Sequence, residues 1–379
     1  MVLVDSDMHR MTIMKRKVAA VACVALLAVT AMACGKGNKT EPETTAQPTE
    51  EVTETTTPAD AQPTEVEETD TGLRSALTNE VIDEALYKQK PITVMFNNLK
   101  AACPQTSISK AGVVYEAPVE GSITRLMGVI EDWQGLDKIG SVRSARDYYT
   151  YWAQEWDSFY VHFGGPAKYI DPAMKTLKVE NINGLNTGGD AYYRTTDRVA
   201  PHNAYAKGSG LATAAEAKGY SLAYESGKPD THFTFASENA PNMLENGVTA
   251  NHVEMGGYNL NHGMFDYNAE DGLYYRSQYG AAQIDDLDGK QLTCKNIIII
   301  NVDGKVRDSK GRLKFEIVDS GKTGYFITNG KAIPITWDKP DRNSLTKYYD
   351  EQGQEIQLNT GKTWICIVMT DYKDKTVIE

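Results

Sequence analysis

The stretch VVYEAPVEGSITRLMGVIED (113–132) predicts two consecutive β-strands. Its two halves, residues 113–120 and 123–132, are rich in β-branched and other apolar side chains, which is the composition of buried strands. Gly121 and Ser122 separate the two halves and form a hairpin-like pause. The stretch therefore predicts a strand pair against which the neighbouring elements can be placed.

Helical and strand-like segments alternate around this pair, which favours an α/β part at residues 73–225. The helical segments have apolar side chains at helical spacing, and the strand-like segments are short apolar runs. The predicted helices are 79–88, 147–156 and 167–177, and the further predicted strands are 91–98 and 158–163.

Residues 226–379 have a different pattern, with short β-rich runs separated by turns that contain Gly, Asp and Asn. Such turns are typical of hairpins. The runs are THFTF, KNIIIINV, LKFEIVD, TGYFIT and KTWICIVMT. The sequence therefore predicts a β-rich C-terminal part.

The N-terminus has the features of a secretory signal. A basic cluster at 15–17 precedes an apolar run that ends at Cys34 and is too short to span a membrane. The tetrapeptide AMAC (31–34) resembles a bacterial lipobox, in which the cysteine is acylated. We expect a signal peptide at 1–33, with Met14 as an alternative natural start, and a lipid on Cys34. A plain signal peptide with an A-x-A cleavage site is the alternative.

Residues 34–72 predict a disordered acidic tether behind that cysteine. Residues 35–72 hold eleven Thr and ten acidic residues against two basic ones, so they cannot bury enough apolar surface to offset their ordering entropy. The remaining 307 residues carry a net charge of −6. This mild acidity gives no basic face for nucleic acid. We expect an exported protein that contacts the outer face of the bacterial cytoplasmic membrane through its anchor.

The cysteines and histidines give no sign of a disulfide framework, a metal site or a cofactor. After the signal and the anchor, Cys103, Cys294 and Cys366 remain, and no C-x-x-C spacing occurs. Neither H-x-x-x-H nor H-x-H is present. We therefore expect no metal and no cofactor.

Several arginines suggest an anion pocket. In IGSVRSARDYY (139–149), Arg143 and Arg146 bracket Ser144 just before a predicted helix. Guanidinium groups bind oxyanions bidentately, and a helix N-terminus adds amide donors. The further candidates are Arg125, Arg194 and Arg198, and the carboxylates that could instead pair with arginines are Glu116, Glu120, Asp190 and Asp197.

Two histidines and two glutamates could carry acid–base chemistry. His162 precedes Gly164, and His202 lies in the polar segment APHNAY, where functional groups are common. Glu116 and Glu120 would share a strand face if Pro118, between them, did not break the strand. Salt bridges to arginine explain these two glutamates equally well. No G-x-S-x-G or S-x-x-K motif is present, and Ser144 is interpreted as a helix cap or ligand donor.

The motifs together resemble the YerB-like family of bacterial lipoproteins across residues 90–370. In order they are VVYEAPVEGSITRLMGVIED, IGSVRSARDYY, VHFGGP, RTTDRVAPHNAY, YNAEDGLYYRSQYG and GQEIQLNTGKTWICIVM. The resemblance implies an α/β N-terminal part, like a three-layer β-β-α sandwich, and a β-rich C-terminal part. It supplies no reaction. The motif residues it covers are Glu116, Glu120, Arg125, Arg143, Ser144, Arg146, His162, Gly164, Gly165, Arg198, Pro201, His202, Asn203 and Tyr205.

We expect a non-enzymatic envelope protein that binds an anionic ligand, either a glycan carboxylate or a phosphate-bearing polymer. Arg143, Arg146 and Arg198 would hold the ligand together with His162 and His202. A hydrolase or transferase of envelope phosphodiesters or glycans is the second hypothesis, and it needs a histidine bonded to a carboxylate. A module that binds another exported protein through the β-rich half is the third.

Overall fold

The structure is a computed structural model, and it describes residues 72–379. The predicted signal peptide, Cys34 and nearly all of the predicted tether therefore lie outside the described residues. Within this range β-strands dominate and helices are few. The helices are α1 (Glu84–Lys88), α2 (Asp147–Glu155), α3 (Ala167–Leu177) and α4 (Gly208–Ala217), with short 3-10 helices at Lys100–Ala102, Ile108–Lys110, Gly189–Ala191 and Thr370–Lys375.

The strands fall into one large sheet and several smaller ones. They are β1 (Ile92–Asn97), β2 (Val113–Pro118), β3 (Thr124–Ile130), β4 (Ile139–Gly140), β5 (Phe159–His162), β6 (Asn181–Asn183), β7 (Tyr192–Arg194), β8 (Ala204–Ala206), β9 (Thr234–Phe235), β10 (Val248–Thr249), β11 (His252–Glu254), β12 (Met264–Asn268), β13 (Leu273–Gln278), β14 (Ala281–Ala282), β15 (Thr293–Cys294), β16 (Asn296–Val302), β17 (Gly304–Val306), β18 (Leu313–Phe315), β19 (Asp319–Thr328), β20 (Lys331–Lys339), β21 (Lys347–Tyr349), β22 (Gln357–Leu358), β23 (Thr363–Met369) and β24 (Val377–Ile378).

The opening stretch forms the predicted hairpin. β2 and β3 pair antiparallel, with Val113 opposite Val129 and Pro118 opposite Thr124. The connection holds two residues with positive φ, Gly121 at 81° and Ser122 at 58°. Glycine adopts this left-handed region without strain, whereas for Ser it is uncommon.

Both parts of the chain contribute to the same eleven-stranded sheet, in the order β10-β20-β19-β16-β23-β2-β3-β1-β5-β6, with β21 beside β20. The junction is a parallel pair, in which β2 lies beside β23. β23 in turn lies parallel to β16. β16 and β23 are buried along nearly their whole length, as expected for parallel strands covered on both faces. A single sheet thus crosses the predicted boundary at residue 225.

Different elements cover the two faces of this sheet. Tyr149 and Trp152 of α2, with Ile170 of α3, pack on the face that holds Ile298. The six-stranded sheet of β11 to β15 and β24, together with α4, packs on the face that holds Ile297. The predicted three-layer arrangement stays a prediction, whereas the mostly β character of the protein is established.

The predicted helices fare unequally. Segment 167–177 coincides with α3, and α2 begins at Asp147 as expected. The helix predicted at 79–88 is wrong in its first half. Asn79 has φ 62°, and the helix begins only at Glu84, after Asp83 caps it by accepting a hydrogen bond from the Leu86 amide. α4 was not predicted.

A buried ion cluster lies at the end of α2. Glu155 is buried and accepts hydrogen bonds from Lys339 Nζ at 2.7 Å and from Thr346 Oγ1 at 2.8 Å. His232 Nε2 lies 2.7 Å from its other oxygen, and the His232 ring stacks on Trp156 at 4.3 Å. Burial raises the pKa of Glu155, but the hydrogen bond with His232 and the charge of Lys339 outweigh it and lower the pKa to about 2.

The lowered pKa predicts acid sensitivity. A carboxylate whose pKa is lower in the folded state stabilises the protein above its unfolded pKa, and this contribution is lost as pH falls. Between about pH 4.5 and about pH 2, wild type should lose roughly 3 kcal/mol through Glu155. Glu155→Gln should be less stable at neutral pH and show a flatter pH dependence in urea unfolding.

The exposed residue Glu351 offers a matched control. Glu351→Gln should follow the wild-type curve. Parallel pH curves for Glu155→Gln and wild type would contradict the assignment.

Candidate functional site

The segment between β4 and α2 places Arg143 at the ends of two strands of the large sheet. Its amide donates to the Met95 carbonyl of β1 at 2.7 Å. Its carbonyl accepts from the Phe163 amide, just after β5, at 2.9 Å. Backbone bonds on both sides therefore fix the position from which its side chain extends.

Arg146 is paired with a carboxylate. Its Nε lies 2.9 Å from Glu120 Oε2, and a second nitrogen contacts Glu120 Oε1. It also donates to the Ala145 carbonyl at 2.7 Å, and it is almost fully buried. The protein therefore already holds the Arg146 side chain, and Glu120 neutralises its charge.

Arg125 lies beside this pair without a carboxylate of its own. Its guanidinium donates to the Ser144 carbonyl at 2.6 Å, and only 3% of the residue is exposed. Burial, followed by the charges of Arg146 and Arg143, lowers the pKa of Arg125 to about 9. Burial is the larger cause, and the two neighbouring guanidinium groups add to it.

Arg143 is the least satisfied member of the group. It makes no side-chain hydrogen bond or ion pair with any described residue, and its Nε is buried without a partner. Burial and then the charge of Arg146 lower its pKa, Arg194 adds to the fall, and Glu120 opposes it. Buried donors are normally satisfied, so this side chain has unused capacity for an acceptor.

His202 lies close to Arg143. Asn97 Nδ2 and His202 Nδ1 are 2.9 Å apart, while Asn97 Oδ1 accepts from the Leu99 amide. The Asn97 amide nitrogen therefore donates, and His202 Nδ1 accepts as part of a neutral ring. Burial and then the charges of Arg143 and Arg198 lower the pKa of His202, in keeping with that neutral form.

Arg194 completes the group from β7. It donates to Asn203 Oδ1 at 2.8 Å and lies over the Phe163 ring at 4.8 Å. Asn203 donates in turn to the Thr195 carbonyl at 2.8 Å. Asn203 thus positions an arginine. We call the set of Arg125, Arg143, Arg146, Arg194 and His202 the arginine cluster.

Arg198 is used elsewhere. It donates to the carbonyls of Ala102 at 2.7 Å and Pro104 at 2.9 Å, and to the Tyr205 hydroxyl at 3.0 Å. These contacts fasten the loop that contains Cys103, so Arg198 and Tyr205 support the fold near His202.

His162 lines a cavity to which none of these arginines contributes. Its Nδ1 lies 2.8 Å from the Gly164 carbonyl, and the residue lines a cavity together with Asn181 and Lys218. None of the charges that shift its pKa belongs to the arginine cluster. Of the five residues expected to converge, Arg143, Arg146 and His202 lie near one another. Arg198 is close enough to His202 to lower its pKa, but it is bonded to loop carbonyls, and none of these arginines lines the cavity of His162.

Gly164 and Gly165 form the turn between these regions. Their φ angles are 70° and 151°, a range that favours glycine. A Cβ on Gly165 would lie 3.1 Å from the Ala145 carbonyl oxygen. The turn thus lets α3 approach Ala145 closely.

Ser144 does not cap α2. Its hydroxyl donates to the Phe163 carbonyl at 3.1 Å, and the N-cap position is occupied by Arg146. The helix begins too far along the chain for Ser144 to reach its first amides, so the cap interpretation is wrong.

Glu116 and Glu120 do not form a catalytic pair. Glu116 is fully buried and makes a 2.8 Å ion pair with Arg276. Glu120 lies beyond the end of β2 and contacts Arg146 on the α2 side. The two carboxylates are therefore held separately by two arginines.

Arg276 and Arg194 are the residues that sequence reasoning underused. Arg276 lies in the motif LYYRSQYG, and its guanidinium is 4.8 Å from the Phe265 ring and 5.2 Å from the Trp364 ring. The signal available in the sequence was an arginine among the tyrosines of this motif.

The described residues contain no cluster of three or more His, Cys, Asp or Glu side chains that could hold a metal. Their free thiols are Cys103, Cys294 and Cys366. Between residues 72 and 379, no helix has the length and apolarity needed to cross a membrane.

The fold and the arginine cluster define a mostly β protein with a cationic site at the strand ends of its large sheet. Comparison with known proteins identifies its family. Residues 77–221 match the domain described as "Protein of unknown function (DUF3048) N-terminal domain", and residues 253–365 match the corresponding C-terminal domain. The chain belongs to this family.

A curated relative and a solved structure agree with that membership. The chain is 30% identical over 301 residues to "Putative lipoprotein YerB" from Bacillus subtilis (strain 168), covering 78% of this chain and 86% of the relative. The crystal structure of the YerB protein from Bacillus subtilis superposes with a TM-score of 0.71 at 27% identity. It covers 81% of this chain and 99% of that one. The resemblance to the YerB-like family is thereby confirmed.

The buried pair of Glu116 and Arg276 predicts a large mutational effect. Glu116→Gln keeps the shape but leaves Arg276 buried without its counter-charge, which typically costs about 3–5 kcal/mol. We expect a loss of that size in urea unfolding at neutral pH.

The exposed pair of Arg74 and Glu238, at 2.8 Å, offers the control. Glu238→Gln should cost less than about 1 kcal/mol. Equal losses for the two substitutions would contradict the role given to burial.

Proposed function

We propose that this protein is an envelope lipoprotein that binds an anionic ligand in the arginine cluster. The observation that carries the proposal is the unused side chain of Arg143, whose buried Nε has no partner. Four guanidinium groups lie near one another there. Among the described residues, the carboxylate that pairs with this group is Glu120, which contacts Arg146. An added anion would supply the missing acceptor and reduce the mutual repulsion.

The ligand's group is a glycan carboxylate or a phosphate. Both are planar or tetrahedral oxyanions that guanidinium groups bind through paired hydrogen bonds. The neutral ring of His202 adds a donor, because its Nδ1 accepts from Asn97 and its proton therefore lies on Nε2. Partial burial of Arg143 strengthens such bonds, since water competes less for the ligand.

The location follows from the N-terminal sequence and from a relative. We propose that Cys34 carries a lipid and that residues 35–72 act as a tether, which places the domain outside the cytoplasmic membrane. The name of the Bacillus subtilis relative, "Putative lipoprotein YerB", supports this proposal.

The enzyme hypothesis is less well supported. It requires His162 or His202 to be bonded to a carboxylate, and in residues 72–379 neither ring makes a hydrogen bond or ion pair with one: His162 Nδ1 bonds to the Gly164 carbonyl and His202 Nδ1 to the Asn97 amide. The histidine–carboxylate pairs are His232 with Glu155, His252 with Asp266, and His262 with Glu254. Docking of an exported protein stays a prediction.

The test is binding of inorganic phosphate and, separately, glucuronate to wild type and Arg143→Gln. At about 100 times its Kd, a bound anion should stabilise wild type by about 2.7 kcal/mol, seen as a higher melting temperature. Arg143→Gln should lose most of this gain. Without ligand it should melt no earlier than wild type, because removing one cation reduces the repulsion within the cluster.

Arg342→Gln is the matched control, since Arg342 is exposed and lies in another loop. It should keep the wild-type response to both anions. The proposal is wrong if neither anion raises the melting temperature of wild type, or if both variants respond equally.

A further inference from the structure

Two adjoining cavities lie beside α3, β6 and α4. One has a volume of about 590 Å³ and borders α4, and the other has about 530 Å³ and borders α3 and β6. Asn186 and Lys218 line both, so the cavities form one continuous surface, here named the Asn186 groove. Its size is that of typical small-ligand sites.

His162 supplies a hydrogen-bond acceptor at one end of the groove. Its Nδ1 is 2.8 Å from the Gly164 carbonyl, and a carbonyl only accepts, so the proton lies on Nδ1. Burial lowers the pKa of His162, which keeps the ring neutral and leaves Nε2 with a lone pair. This atom has no hydrogen-bond partner, although the residue is only 1% exposed. His162 and Asn181 both line this end of the groove.

A second unpartnered polar atom lies in the other cavity. Thr187 Oγ1 is buried and makes no hydrogen bond. Asn183 adds a donor, because its Oδ1 already accepts from the amides of Gly164 at 2.8 Å and Leu185 at 3.0 Å, while its Nδ2 bonds to no described residue. The groove thus offers acceptors and donors along its length.

The charges of the groove are nearly balanced. Its lining holds four lysines and three acidic residues: Lys175, Lys178, Lys207, Lys218, Asp171, Glu180 and Asp190. A polyanion would meet repulsion as well as attraction there. Neutral hydrogen-bonding groups, amides and hydroxyls suit a ligand that carries hydroxyl groups and no net charge.

We propose that the Asn186 groove binds a neutral glycan segment, with His162 Nε2 accepting a hydrogen bond from a ligand hydroxyl or amide. The arginine cluster is a separate site, because none of its five members lines either cavity of the groove. The proposal therefore stands independently of the anion site.

The experiment is calorimetric titration of the full chain, purified in detergent, with chitotetraose and with cellotetraose. Wild type should bind at least one of them. Asn186 is exposed, so Asn186→Ala should fold normally and weaken binding roughly fivefold, the effect of one hydrogen bond. His162→Ala should weaken it by roughly tenfold or more, because it removes the acceptor. If His162→Ala fails to fold, Asn186→Ala alone decides the test.

Two further variants separate this proposal from the anion site. Asn239→Ala removes an exposed amide elsewhere and should bind the oligosaccharides as wild type does. Arg143→Gln should also bind the oligosaccharides normally, but phosphate should no longer raise its melting temperature. Asn186→Ala should bind the oligosaccharides more weakly and keep the wild-type rise in melting temperature with phosphate. The proposal is overturned if wild type binds neither oligosaccharide, or if Asn239→Ala and Asn186→Ala lose equal amounts of oligosaccharide affinity. It is also overturned if Arg143→Gln abolishes oligosaccharide binding.

Discussion

The buried ion pair of Glu116 and Arg276 connects the two halves of the chain, and the rest of the structure depends on it. Neither residue has measurable exposure, and the guanidinium lies over the rings of both Phe265 and Trp364. Burying either charge alone would be costly, and the pair is tolerable only with both members and their hydrogen bonds in place. Thr124 Oγ1 at 2.7 Å, Asn261 Nδ2 at 3.0 Å and Trp364 Nε1 at 3.2 Å also donate to the Glu116 carboxylate. Because the two members belong to different halves, neither half satisfies its buried charge without the other.

This constraint also explains why the arginine cluster keeps excess charge. Glu116 was one of the sequence candidates to neutralise the arginines, but it lies on the opposite face of the sheet from Arg125 and is paired with Arg276. Glu120 is left, and both of its oxygens contact Arg146. Arg125 therefore donates to the Ser144 carbonyl, and the Arg143 side chain has no hydrogen-bond acceptor among the described residues. A protein that stabilised only its own fold would gain by replacing Arg143.

The sequence predicts local features well and partner choice poorly. The β2–β3 hairpin follows from two apolar runs around Gly121, and α3 follows from its helical spacing, since both depend on neighbours in the chain. α4 is harder to predict, because its first turn includes Gly208 and Gly210, which normally weaken a helix. The structure explains them, since a Cβ at either would overlap a backbone oxygen. Ion pairs are harder still: Glu116 and Arg276 are separated by 160 residues, and no local pattern indicates which arginine remains free.

One turn positions both candidate binding regions, although their chemistry differs. The Gly164 carbonyl accepts from the Ala145 amide at 3.0 Å, on the side of the arginine cluster, and from His162 Nδ1 at 2.8 Å, on the side of the Asn186 groove. The first bond holds the backbone from which the arginines extend. The second fixes the tautomer that leaves His162 Nε2 as an acceptor. A shift of this peptide would therefore alter both regions at once. An envelope polymer that carries acidic groups and neutral sugars offers both chemistries, which gives a physical reason for a single rigid turn between them.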